Sequence, residues 1–257
     1  MLRVHSFCSM ITLAIDTCEA RGSVAIRKSG RLAALRRHDT VADYSSWLLP
    51  AVQDVLSESG TAMDDVQLLA VATGPGSFTG LRVGLTTAKA WVEVYGTPII
   101  GVSRLEAMAL SVDLETRYVA AWYDAQRGQM FGALYRRPSS LHARPEAGPY
   151  KFEIQEAEMV IAPQEFLSFV EEHSRAESVA WVSLDPGLLT SLEGWAEHRD
   201  RGETVIRCDS QLADGIGEIA EERAKNSEFT DVLQLDANYV RRSDAEIFWK
   251  GPASHAR

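Results

Sequence analysis

Three glycines fall within seven residues at Gly74-Pro75-Gly76-Ser77-Phe78-Thr79-Gly80, between an apolar run, Leu68 to Ala72, and a helical pattern, Leu81 to Tyr95. Glycine lets a backbone adopt conformations and close approaches that a Cβ would block. A buried strand that turns sharply into a helix is the hallmark of α/β layering. The amide groups at such a helix start favour anions, so Gly74, Gly76, Ser77 and Thr79 are candidate nucleotide contacts. The run is not a P-loop, since no Gly-Lys-Ser/Thr follows, and its G-x-G-x-x-x-G spacing misses the dinucleotide fingerprint. Tight packing and phosphate cradling both remain open readings of this loop.

The flanking patterns place the loop within a repeated plan. Ile11 to Ile15, Gly22 to Arg27 and Leu32 to Arg36 read as a three-stranded meander. Leu48, Val52, Val55 and Leu56 mark a helix over Ser45 to Ser59, with Gly60 at the C-cap position. Ile99-Ile100 begins a strand, and Ser103 to Glu106 has the form of a capping box opening the next helix. In the second half, Tyr118 to Tyr123 and Met130 to Tyr135 form a hairpin around Gln126-Arg127-Gly128, followed by a Pro-rich loop at 138–149 and short strands near 152 and 160. A helix from Pro163, a strand over Val179 to Leu184, and helices after Asp185-Pro186-Gly187 and Gln211 complete it.

Two successive β-β-β-α-β-α units predict a duplicated actin/Hsp70-like α/β fold: two lobes, each a mixed β-sheet flanked by helices, with a cleft between them. The expected lobes span 11–110 and 111–246, with a tail at 247–257. Residues 1–10 read as a disordered extension, or as a consequence of a true start at Met10.

Composition narrows the function. The 257 residues carry 26 basic and 36 acidic side chains, a net charge of −10, which argues against a stand-alone nucleic-acid binder. Cys8, Cys18 and Cys208 form neither a C-x-x-C pair nor an even disulfide framework, so reduced thiols and the cytoplasm are expected. No stretch has the length of a signal-peptide core or a membrane span. The six histidines are scattered, no metal-ligand cluster is visible, and no metal is expected. A peptidase is disfavoured, because His-Glu-x-x-His is absent and Ser77 is not in a nucleophile elbow.

Asp16-Thr17 ends the first strand where an actin-like ATPase holds a carboxylate and a hydroxyl near a Mg²⁺-bound phosphate, and Asp124 is the matching residue of the second hairpin. Each also suits an ordinary turn. An actin-like ATPase or small-molecule kinase, using Asp16, the glycine loop and Asp124 around Mg-ATP, is therefore the enzymatic alternative.

Helix geometry points instead to a partner. On the 80–95 helix, Arg82, Thr86, Lys89 and Glu93 make a narrow polar stripe, so most of its circumference is apolar or small. Gly80, Gly84 and Ala88 form a groove for another backbone, with Thr87, Trp91 and Tyr95 beside it. Trp47 projects with Ala51, Asp54 and Glu58 from the preceding helix, as an interface anchor would. The alternative is that both helices pack only on their own sheet and on each other.

Leu13-Ala14-Ile15-Asp16-Thr17, Leu48-Leu49-Pro50, GPGSFTGLRVG at 74–84, Pro98-Ile99-Ile100-Gly101-Val102-Ser103, Asp124-Ala125-x-Arg127-Gly128 and Asn238-Tyr239-Val240-Arg241 occur in the order of the TsaB (YeaZ) family. The resemblance runs from Ile11 to about Glu246, and the glycine run is its discriminating piece. It implies an actin-like, non-catalytic subunit that pairs with TsaD, the subunit using threonylcarbamoyl-adenylate on tRNA, in an assembly that includes the ATPase TsaE. It implies that the first two helices bind TsaD, or a second copy as a homodimer, and that tRNA is met only through the complex. No cofactor is required by this reading, with weak ATP or ADP and Mg as the only candidate ligands. Two places depart from the family pattern: Asp16-Thr17-Cys18 where Asp-Thr-Ser is usual, and Tyr44-Ser45-Ser46 where His-Ser-Glu is usual.

Overall fold

A computed structural model describes residues 10–39, 43–112, 116–137, 153–154, 157–175 and 177–240. The 1–9 extension, the Pro-rich loop at 138–149, Arg241 and the 247–257 tail lie outside them.

The first sheet is the expected meander, β1 (Ile11–Asp16), β2 (Ser23–Lys28) and β3 (Arg31–Arg37), extended by β4 (Leu68–Gly74) and β5 (Ile99–Ser103). Its order is β3-β2-β1-β4-β5, antiparallel across the meander and parallel across β1, β4 and β5. Helix α1 (Tyr44–Glu58) and helix α2 (Phe78–Tyr95) pack on one face, with Leu48, Val52, Val55, Leu85 and Ala88 against Leu13, Ile15, Leu69 and Val71. Gly60 takes a positive φ of 58° just past α1, and Gly96 caps α2 at φ 66°.

The second sheet repeats the topology. Strands β6 (Tyr118–Gln126) and β7 (Gln129–Arg136) form the hairpin, β8 (Glu153–Ile154) and β9 (Met159–Ile161) both pair with β7, and β10 (Val179–Ser183) and β11 (Val205–Arg207) lie parallel to β6. The order β8-β7-β6-β10-β11 matches the first sheet strand for strand. The duplicated α/β architecture is therefore present, and β11 is the strand that periodicity missed. Three residues are too few to show alternation. Helix α4 (Pro163–Ser174) and the short α5 (Gly187–Thr190) and α6 (Trp195–Asp200) cover the outer face, with Phe166 of α4 packed among Trp122 and Trp181 of the sheet.

Between the sheets lie α3 (Arg104–Leu110) and α7 (Ala213–Lys225), and each packs on the sheet of the other half. Helix α3, following β5, lies on β6, β7 and β10; α7, following β11, lies on β1, β2, β4 and β5. The central core therefore mixes both halves, with Ala14, Ala70 and Val102 joined to Val119, Ala121, Ala133 and Ile216. A strap after α7 returns to the first sheet: Thr230 N–H donates to Ile99 O at 2.9 Å and Asn238 N–H to Thr73 O at 2.7 Å, with Leu235 buried beneath.

Two local expectations are corrected. Helix α2 begins at Phe78, three residues before the apolar stripe, because Ser77 caps it by accepting from Gly80 N–H. The Ser103 hydroxyl does accept from Glu106 N–H at 3.2 Å, but Glu106 bonds both carboxylate oxygens to Arg223 of α7 instead of returning to the cap. Among the described residues no helix is long and apolar enough to cross a membrane.

Charge also crosses the central layer. Arg27 of β2 is buried and donates to Glu221 of α7 at 3.2 Å and to Asp214. Removing one partner of such a pair leaves an uncompensated buried charge, which costs about 3–5 kcal/mol. Arg27→Met should lower stability in urea unfolding by that order, and Arg27→Met/Glu221→Leu should recover most of the loss.

Candidate functional site

The centre of the molecule is built where β1 ends. The Asp16 carboxylate accepts from Cys18 N–H at 3.0 Å through Oδ1 and from Arg104 Nε at 3.1 Å through Oδ2. Both side chains are wholly buried. Arg104 opens α3, its Nη2 donates to Ser210 O at 3.2 Å, and its guanidinium stands over the Tyr123 ring at 4.9 Å. Burial works against the Arg104 charge, but Asp16 together with Tyr123, Glu19 and Cys18 outweighs it and raises its pKa. Burial pushes the neighbouring Cys18 thiol well up, and Asp16 adds to the effect, so Cys18 is a protonated core residue.

The glycine loop presses on this strand end. Ser77 N–H donates to Cys18 O at 2.6 Å, and a Cβ on Gly76 (φ 156°) would stand 2.2 Å from that same oxygen. A Cβ on Gly80 would stand 2.0 Å from Thr17 O, and one on Gly84 2.4 Å from Thr17 Oγ1. The Thr17 hydroxyl donates to Gly80 O at 2.7 Å. Tyr123 closes the floor from the second sheet by donating its hydroxyl to Pro75 O.

Above this floor a cleft of about 590 Å³ remains. Glu19, Tyr44, Gly76, Ser77 and Phe78 form one wall, Asp124 to Arg127 with Phe131 the second, and Asn238 to Val240 of the strap the third. Of the candidate nucleotide residues, Gly76, Ser77 and Asp124 line it. Asp16, Thr17 and Gly74 are buried below, and Thr79 is exposed on the first turn of α2, outside the lining. Asp124 also holds its own turn, accepting from Gln126 N–H at 2.7 Å. On the other side of Glu19 and Ala20 a second cavity of about 690 Å³ reaches Arg21, Asp185 and Arg207 to Ser210. Burial raises the Glu19 carboxyl above the ordinary range, opposed by Arg104. Among the described residues no group of three or more His, Cys, Asp or Glu side chains is placed to hold a metal.

The strap wall is tied by Glu158, whose carboxylate accepts from Ser103 Oγ, from Tyr135 at 3.0 Å and from Asn238 Nδ2. Arg82 stacks on Phe78 at 3.8 Å and donates to the Tyr239 hydroxyl at 3.3 Å. Arg104, Tyr123, Glu158 and Tyr239, with the cleft-lining Glu19, Tyr44 and Phe78, are among the contributors that sequence reasoning did not single out as site residues. Arg104 did carry a signal: a cation in the first turn of a helix opposes the macrodipole, so something other than helix stability places it there.

The structure places most of the partner candidates inside the chain. Gly80, Gly84, Ala88 and Ala51 are buried, and the groove of small residues is filled by this chain's own Thr17. Trp47 is half-buried, edge-on to His38 and Tyr44 at 5.0 and 5.8 Å, while Thr87 and Trp91 are also half-buried. The apolar groups that α1 and α2 do expose are Leu49, Phe78, Val94 and Tyr95, with Leu49 52% and Val94 72% accessible.

Across its length the chain is 36% identical to the tRNA threonylcarbamoyladenosine biosynthesis protein TsaB of Escherichia coli K12, covering 94% of this chain and 97% of that protein. The chain belongs to the TsaB family. The Bacillus subtilis protein of the same name is 33% identical over 93% of this chain and 98% of its own. A family model described as TsaD: tRNA N6-adenosine threonylcarbamoyltransferase matches residues 38–147, from the end of β3 through β7 and beyond. The solved structure of YeaZ from Pseudomonas aeruginosa superposes with a TM-score of 0.65 at 21% identity, covering 90% of this chain and 99% of that one, and so shares the TsaB-family fold.

Two outcomes test this geometry. Gly80→Ala should destabilise the protein by about 1–3 kcal/mol in urea unfolding, because its methyl group meets a backbone oxygen that cannot swing away. Burial raises the Glu158 carboxyl, partly offset by the Ser103 and Tyr135 hydrogen bonds, so the folded protein holds that proton more tightly than the unfolded chain. Stability should then fall as pH rises from the ordinary carboxylate range through the raised value. Thermal unfolding across that window should show a flatter slope for Glu158→Gln; an unchanged slope would assign the effect to Glu19, Glu106 or Glu218, whose carboxyls are raised as well.

Proposed function

We propose that this chain is a non-catalytic subunit in tRNA threonylcarbamoyladenosine biosynthesis, which supports a TsaD-type transferase by pairing with it through the outer face of α1 and α2. The observation that carries this reading is the Asp16–Arg104 pair. Phosphoryl transfer requires carboxylates free to hold Mg²⁺ and groups that stabilise charge on the transferred phosphoryl. Here the carboxylate buried beneath the cleft is already paired with a guanidinium, and the neighbouring Thr17 hydroxyl donates to Gly80 O.

The cleft then serves as a shaped surface with no required cofactor, and ATP or ADP with Mg would occupy it weakly at most. Nucleotide hydrolysis in the larger assembly falls to a TsaE-type ATPase. The net charge of −10 favours meeting tRNA through the basic surface of a partner rather than directly. The same face of α1 and α2 would pair with a second copy when the transferase is absent. The cytoplasm is the compartment consistent with such a role.

Leu49 and Val94 are well exposed on these helices, where a charge disturbs docking more than folding. Calorimetric titration with TsaD from the same organism should show Leu49→Asp and Val94→Asp weakening association by about tenfold or more, equivalent to about 1.4 kcal/mol, with unchanged thermal unfolding. Full affinity in both variants would place the partner surface elsewhere. The isolated protein should also show negligible ATP turnover; steady turnover abolished by Asp16→Ala would make the chain an enzyme.

A further inference from the structure

Arg104 is more expensive than a structural residue at its position needs to be. It is a cation at the start of a helix, where the macrodipole opposes it, and it is wholly buried, where a charge is tolerated only if paired. Its Nη1 has no partner in the structure. Apolar side chains of the same volume would often hold such a core as well or better. What the guanidinium does, and an apolar group could not, is gather polar groups from separate elements. It takes the Asp16 carboxylate of β1, the Ser210 carbonyl between β11 and α7, and the face of Tyr123 on β6. Asp16 belongs to the first sheet, and Tyr123 to the second. Tyr123 continues the chain of contacts to Pro75 in the glycine loop of the first.

We propose that Arg104 is an interlobe clasp, a built-in cation that holds the two lobes of the cleft in one arrangement without any bound ligand. A two-lobed protein with an open carboxylate at its hinge would change its lobe angle with whatever neutralised that carboxylate. With the countercharge supplied by its own chain, the cleft between Glu19 and Asp124 has its shape before any partner arrives. Association then meets a preorganised surface and loses less conformational freedom on binding.

The distance between lobes is the decisive readout, because a residue that merely filled space would not move it. Spin labels at Ser57→Cys on α1 and Ser168→Cys on α4, in a Cys8→Ser background, report that distance by pulsed electron resonance. Arg104→Ala should broaden and shift the distribution and speed amide exchange at Cys18 and Tyr123 by roughly a hundredfold. Millimolar guanidinium should narrow the distribution again, by refilling the site. Should Arg104→Ala fail to fold, Asp16→Asn/Arg104→Leu removes both charges together and avoids the orphaned carboxylate. That variant should fold and still show the broadened distribution. A distribution as narrow as the wild type in either folded variant, or one that guanidinium leaves unchanged in Arg104→Ala, would overturn the clasp and leave Arg104 as packing.

Discussion

A carboxylate at the end of β1, wholly removed from water, sets the terms for the rest of the molecule. Asp16 cannot be buried there uncompensated, since an isolated ionised group in such surroundings would neutralise or unfold its site. The compensation comes from Arg104, eighty-eight residues away along the chain. Arg104 opens α3, which leaves β5 of the first sheet to pack on the second, and α7 packs on the first in exchange. Both halves therefore contribute to one central core, and neither sheet buries its inner face without a helix supplied by the other.

The glycine loop is the second consequence of the crowded strand end. Gly76, Gly80 and Gly84 bring the loop and the first turns of α2 onto Thr17 and Cys18, where a Cβ would collide with backbone or hydroxyl oxygen. The amide of Ser77 and the hydroxyl of Thr17 are consumed by these contacts. The loop packs closely on the strand end, and its Gly76, Ser77 and Phe78 reach the cleft wall. The third wall, Asn238 to Val240, comes from the far end of the described chain and is anchored by Glu158 and Arg82. The cleft is thus assembled from both sheets and the strap.

The helices on the outer face divide their residues accordingly. Helix α2 packs on β4 with Gly80 and Gly84 turned onto Thr17, and the large apolar side chains that α1 and α2 expose are Leu49, Phe78, Val94 and Tyr95. Full-length similarity to the Escherichia coli TsaB protein places the whole chain in that family.

The sequence by itself determined the local elements and their order. The β-rich run Ile11 to Ile15, the helical stripe of Leu48, Val52 and Val55, and the turn at Gln126–Gly128 depend on neighbours a few residues apart. The duplicated plan followed, because repeated order is visible without knowing any contact. Only the tertiary structure decided which face of a helix is covered and which charge is neutralised. Gly80, Gly84 and Ala88 make the same groove in sequence whether a partner or Thr17 fills it. Asp16 reads the same in sequence whether it faces a metal-bound phosphate or Arg104. Those outcomes depend on groups distant along the chain arriving at the same point, and helical or strand periodicity carries no information about such meetings.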